Sequence, residues 1–116
     1  MLIRIDPAST VPLYEQVAAA VRRAVADGTV RRGEQLPVAR ELAASLEINV
    51  HTVLRAYAVL RDEGLIDLRR RRGAVVTAEA KSRARLNELV GELIAEARRE
   101  GVSADEVAHL LKERYV

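Results

Sequence analysis

The sequence predicts a mainly α-helical chain with one small β-hairpin. Three observations lead there. Apolar residues recur at steps of three and four along most of the 116 residues. Alanine and arginine, both strong helix formers, dominate the composition. A single β-branched run, Ala74-Val75-Val76-Thr77, follows a strand-like segment across an arginine-rich turn.

The elements follow in order. Leu2-Ile3-Arg4-Ile5 alternates weakly and is expected to form a short strand, broken by Asp6 to Thr10. Pro12 suits the first helical position. Leu13, Val17, Val21, Ala24 and Val25 give the buried stripe of a helix over about 12–27. Gly28 closes it as a left-handed cap, and Thr29 to Gln35 reads as a loop. A second helix is expected at roughly 38–45, with Leu42, Ala43 and Leu46 turned inward. Val38 stands at its cap position and cannot accept the free amides. After a tight turn, Asn49 caps a third helix at roughly 50–63. Val53, Tyr57 and Leu60 form its buried stripe, with Val50 and Ala56 at the margins. Asn49, His51, Thr52 and Arg55 point away from that stripe, and Gly64 ends the helix.

Residues 65–69 are strand-like, with Ile66 and Leu68 on one face. Arg70 to Gly73 makes the turn, and 74–77 returns as the second strand. From Glu79 onward Ala, Glu, Arg and Leu prevail. Leu86, Leu89, Val90, Leu93, Ile94 and Ala97 mark a long amphipathic helix, which Gly101 stops. Ser103-Ala104-Asp105-Glu106 is a capping box for a last helix, on which Val107, Leu110 and Leu111 continue an apolar stripe.

Composition narrows the function. The chain is long enough for one modest core and too short for a catalytic barrel or a doubly wound sheet with a ligand domain. Hydrophobic residues make up 49%, which excludes a disordered tail. Tyr14, Tyr57 and Tyr115 are the only aromatics, so Leu, Val, Ile and Ala must build the core. Absence of cysteine excludes disulfides, thiolate metal centres and a cysteine nucleophile. No apolar run approaches the roughly 18 residues of a spanning helix, and no signal peptide opens the chain. A soluble, cytoplasmic protein without membrane association is expected. Ser9, Ser45, Ser82 and Ser103 lie near no histidine at nucleophile spacing, and phosphate-cradling glycine loops are missing. An enzyme is therefore not expected, and no cofactor is called for. His109 has Glu106 and Glu113 three and four residues away; this reads as an exposed charged face, with no metal.

Charge is uneven. Residues 1–78 hold twelve arginines against nine acids, whereas residues 79–116 hold seven bases against eight acids. Four arginines, Arg69 to Arg72, are consecutive. Helix, helix, tight turn, helix and hairpin is the order of a winged helix-turn-helix. A helix entering the major groove of double-stranded DNA needs short polar side chains near its start. Asn49, His51 and Thr52 supply these, and Arg55 follows one turn later. A hairpin tipped by Arg70, Arg71 and Arg72 suits sugar-phosphate or a minor groove. In isolation, that run would read as a solvated turn.

The motifs in this order resemble the GntR family of bacterial transcription regulators. Leu36-Pro37-Val38-Ala39-Arg40-Glu41-Leu42-Ala43 is similar to the family's second-helix motif, and residues 48–57 to its recognition helix. Ala56-Tyr57 and the Asn-x-x-Thr-Val spacing resemble the YtrA-type subgroup. Pro12 to Val17, Glu63 to Ile66 and Arg72-Gly73-Ala74-Val75-Val76 complete the match over about 10–78.

The resemblance implies DNA binding by a dimer. It places DNA contact on Arg40, Asn49, His51, Thr52 and Arg55; the basic hairpin tip adds Arg70, Arg71, Arg72 and Gly73 as the expected wing contacts. Three departures matter. Val38 replaces the usual capping serine. Val50 and Leu54 stand where many members carry arginine, so their operators do not transfer. Arg71 replaces the wing's usual first glycine.

Two domains are expected: 1–78 for DNA and a helical tail, 79–116, for dimerisation. The tail is too short for a large effector domain, and two helices alone cannot bury both stripes. Leu86, Leu89, Val90, Leu93, Ile94, Leu110 and Leu111 are the expected dimer contacts. The leading reading is a homodimeric repressor on an inverted-repeat operator. The resemblance to the YtrA-type subgroup further implies an operator of transporter genes. The alternative is a winged-helix protein-interaction or assembly adaptor, which would not need Arg40, Arg55 and the wing arginines.

Overall fold

A computed structural model describes residues 1–115. Among them the element order is α1 (Leu13–Ala26), α2 (Ala39–Leu46), α3 (Val50–Asp62), β1 (Ile66–Arg69), β2 (Gly73–Val76), α4 (Ala80–Glu100) and α5 (Ala104–Arg114). The predicted class, mainly helical with one hairpin, is the observed one. Met1–Leu86 forms one compact unit, and a second begins at Asn87.

The core of the first unit is aliphatic. Val17, Val21 and Val25 of α1, Val53 and Leu60 of α3, and Leu65 and Ile66 are its largest fully buried side chains. Ala56, expected at the margin of α3, is wholly buried. Ala80 and Ala84, at 1% and 0% exposure, bring the first two turns of α4 into this core.

Several local expectations are corrected. Leu2 to Ile5 is not a strand. Ile3 is buried and Leu2 exposed, so the alternation is real, but the segment pairs with no strand. Instead the Gln16 side chain accepts from the Asp6 amide at 2.7 Å. It also donates to the carbonyls of Asp6 and Val11 at 3.0 and 2.9 Å, pinning this segment to α1. Pro12 is the N-cap of α1, with ψ 144°, rather than its first helical residue. Its carbonyl still accepts the Gln16 amide at 3.1 Å. Leu68 is 45% exposed and does not share the burial of Ile66; beyond Ile66 the strand leaves the core.

The ends of α2, α3 and α4 share one motif. Gly64 and Gly101 have φ of 81° and 73°, and each closes its helix with paired backbone bonds. Leu65 and Val102 donate to Leu60 and Ala97 at 3.0 and 2.8 Å, while Gly64 and Gly101 donate to Arg61 and Arg98 at 2.9 and 3.2 Å. The α2–α3 turn uses the same motif without glycine. Glu47 takes φ 56°, and Ile48 and Glu47 donate to Ala43 and Ala44. Ser103 caps α5 by accepting the Glu106 amide at 3.2 Å.

The hairpin is antiparallel, with Ile66 opposite Val76, Asp67 opposite Val75, Leu68 opposite Ala74 and Arg69 opposite Gly73. Part of the expected 29–35 loop pairs with its open side. Gly33 and Leu36 donate to Val76 and Ala74, both at 2.8 Å, Val76 donates to Glu34 at 2.9 Å, and Gln35 bridges Val75. The edge of β2 is thereby covered.

Candidate nucleic-acid interface

The site begins at the start of α3. The Asn49 side chain accepts the His51 amide at 2.8 Å, satisfying a donor that the helix cannot satisfy itself. Asn49 is therefore engaged in capping. His51, Thr52 and Arg55 remain along the outer side: His51 and Arg55 are exposed and Thr52 is half-buried. The opposite side is anchored by Val53, Ala56 and Tyr57, at 0%, 0% and 4% exposure.

Arg55 is exposed but not free-standing. Its guanidinium carbon lies 3.8 Å from the centroid of the Tyr14 ring, on α1. Sequence reasoning does not place Tyr14 in the site. The residue belongs to the first-helix motif, yet nothing in a one-dimensional pattern pairs position 14 with position 55.

Arg40 is the second residue of α2 and is exposed. Its N-cap is Val38, which makes no side-chain cap bond and is 60% exposed. The backbone amides of the first turn thus lack a side-chain acceptor from the cap, and an anion is favoured at such a terminus.

The wing tip is the three-residue turn 70–72 between Arg69 and Gly73. Gly73 has φ 69°, a left-handed conformation that a β-carbon disfavours. Arg69 is held by Asp67 at 3.5 Å. Arg70, Arg71 and Arg72 are exposed and form no ion pair among the described residues. The Gln35 side-chain amide donates to the Arg72 carbonyl, tying the tip to the segment before α2. This contact, too, is invisible in the sequence, where Gln35 reads as loop.

On the second unit, Leu89, Val90, Leu93 and Ile94 are 38–45% exposed, and Leu110 and Leu111 are 53% and 54% exposed. Leu86, at the end of the first unit, is 52% exposed. His109 lies 3.8 Å from Glu113 on a charged face of α5. No helix among the described residues is long and apolar enough to cross a membrane.

Residues 13–76, from the first residue of α1 to the last of β2, match the family of bacterial regulatory proteins called the gntR family. The chain belongs to the gntR family. This gntR-family chain is 33% identical to the HTH-type transcriptional repressor YtrA of Bacillus subtilis, over 97% of its own length and 91% of the relative's. Among solved structures it is similar to YtrA from Sulfolobus acidocaldarius, described as a GntR-family transcription factor. Identity there is 34%, with 96% and 94% of the two chains covered and a TM-score of 0.63. A GntR-family transcriptional regulator from Listeria monocytogenes matches at 26% identity over 94% and 98% of the two chains, with a TM-score of 0.64. The gntR-family chain is a DNA-binding transcription regulator, not an enzyme. The family assignment favours DNA over the adaptor reading.

Proposed function

We propose that this gntR-family chain is a homodimeric repressor that binds an inverted-repeat operator in the cytoplasm. Residues 1–78 read DNA, and residues 79–116 pair two copies. The observation that carries the reading is the division of labour at the start of α3. Asn49 spends its side chain on the cap, leaving His51, Thr52 and Arg55 to face base edges within reach of a helix terminus. Arg40, Arg70, Arg71 and Arg72 supply phosphate contacts, and Gly73 holds the wing turn. Phosphate contacts position the protein, while base contacts specify the site.

Pairing is supported by the row Leu86, Leu89, Val90, Leu93 and Ile94, with Leu110 and Leu111 on α5. All are large, apolar and at least 38% exposed in the single chain. Closed two-fold pairing is the commonest way to cover such a row. It would present two α3 helices to two half-sites.

Selection from a pool of randomised duplexes, combined with sedimentation of the protein–DNA complex, tests the reading. Two inverted half-sites, spaced near one helical turn or a multiple, are expected with two chains bound. A single unrepeated site bound by one chain overturns it.

A further inference from the structure

We propose that Tyr14 is a positioning residue for base reading by Arg55. The proposal rests on the reading of Arg55 as a base contact. The carrying observation is the stack itself, with the guanidinium 3.8 Å from the ring centroid. Arg55 is exposed and forms no ion pair among the described residues. Without the ring, its long, flexible side chain would sample many rotamers. Tyr14 is half-buried and packed against the core, so the ring is a fixed platform. Val53, Ala56 and Tyr57 fix the backbone of α3 on the other side.

A cation over an aromatic ring is held through its face. The N–H donors of guanidinium lie in its plane and radiate from its edge. Stacking therefore orders Arg55 without consuming the donors that a bidentate contact to guanine needs. An arginine paired to a carboxylate would spend those same donors. The Tyr14 hydroxyl makes no hydrogen bond among the described residues, so the π face is the part of the side chain that acts. Ordering Arg55 beforehand removes part of the entropy cost of binding.

The test compares wild type, Arg55→Ala, Tyr14→Phe, Tyr14→Leu and the Tyr14→Leu/Arg55→Ala double variant in randomised-duplex selection. Affinities for the selected operator and a random duplex are measured by fluorescence anisotropy. Tyr14→Phe should match wild type. Tyr14→Leu should relax preference at the half-site position that Arg55→Ala relaxes. It should weaken operator binding about two- to five-fold, the range of an exposed cation–π contact, and leave random-duplex binding unchanged. The double variant should bind the operator no more weakly than Arg55→Ala. Tyr14→Met, flexible and without a π face, serves if Tyr14→Leu lowers the melting temperature.

Wild-type base preference in both Tyr14→Leu and Tyr14→Met, alongside a relaxed preference in Arg55→Ala, overturns the proposal. Weaker binding by Tyr14→Phe, or equal weakening on both duplexes, also overturns it and assigns Tyr14 to a phosphate. Unchanged preference in Arg55→Ala instead overturns the underlying reading of Arg55.

Discussion

The Tyr57 hydroxyl, on the third turn of α3, donates to the Pro37 carbonyl at 2.6 Å, just ahead of α2. The bond ties α3 to the segment that enters α2. It acts where Val38 leaves the start of α2 without a side-chain cap. Tyr57→Phe should cost about 1 kcal/mol of stability, the net value of one such bond, measured by denaturant unfolding.

Burial pushes the Tyr57 phenol up to about 12, against about 10 in an unfolded chain. Folding therefore favours the protonated phenol, and its contribution is complete below about pH 10. It is lost as pH rises through about 12, because the unfolded chain releases the proton more readily. Stability should fall between pH 10 and 12 in wild type, and less steeply in Tyr57→Phe. Equal slopes in the two proteins would place the alkaline loss elsewhere.

Arg22 of α1 donates through Nε and Nη2 to both carboxylate oxygens of Glu63, each at 2.6 Å, with side chains only 16% and 17% exposed. The Glu63 hydrogen bond raises the Arg22 pKa against the opposing effect of burial. This fork clamps α1 to the C-terminal cap of α3. Glu63→Gln should cost about 2 kcal/mol, typical of a hydrogen bond to a charged group. Arg22→Ala and the double variant complete a cycle that isolates the pair. Strict additivity would reduce the clamp to two independent packing effects.

For the wing, the expected readout is salt dependence. Arg71→Ala and Arg72→Ala should weaken binding to all duplexes alike. Each substitution that removes a phosphate partner should flatten the log–log salt slope by about 0.9. Titrations from low to moderate salt measure this, and an unchanged slope would put the wing away from DNA.

For the tail, Leu89→Glu or Leu93→Glu should yield a folded monomer, because both side chains are already exposed in the single chain. Sedimentation should show the lower mass, with operator affinity falling well below that of wild type. A variant that still sediments as a dimer would move the interface off α4.

Most of the element order, and the polar character of the start of α3, is legible along the chain itself. Helical spacing places α1, α3, α4 and α5, glycines mark the ends of three helices, and Asn49 announces its own cap. These are local effects, decided within one or two turns of chain by period, capping chemistry and positive φ. Which distant residues meet is a matter of packing in three dimensions. Leu2 to Ile5 has the alternation of a strand but no ladder to join. Gln35 looks like loop until β2 gives it a backbone partner. Ala80 and Ala84 carry too little hydrophobic signal to show that α4 begins inside the core. Tyr14 beneath Arg55, and Arg22 against Glu63, each join positions 41 residues apart in sequence. Their contacts exist because aliphatic packing brings α1 against α3, and no periodicity along the chain records which two side chains that packing brings together.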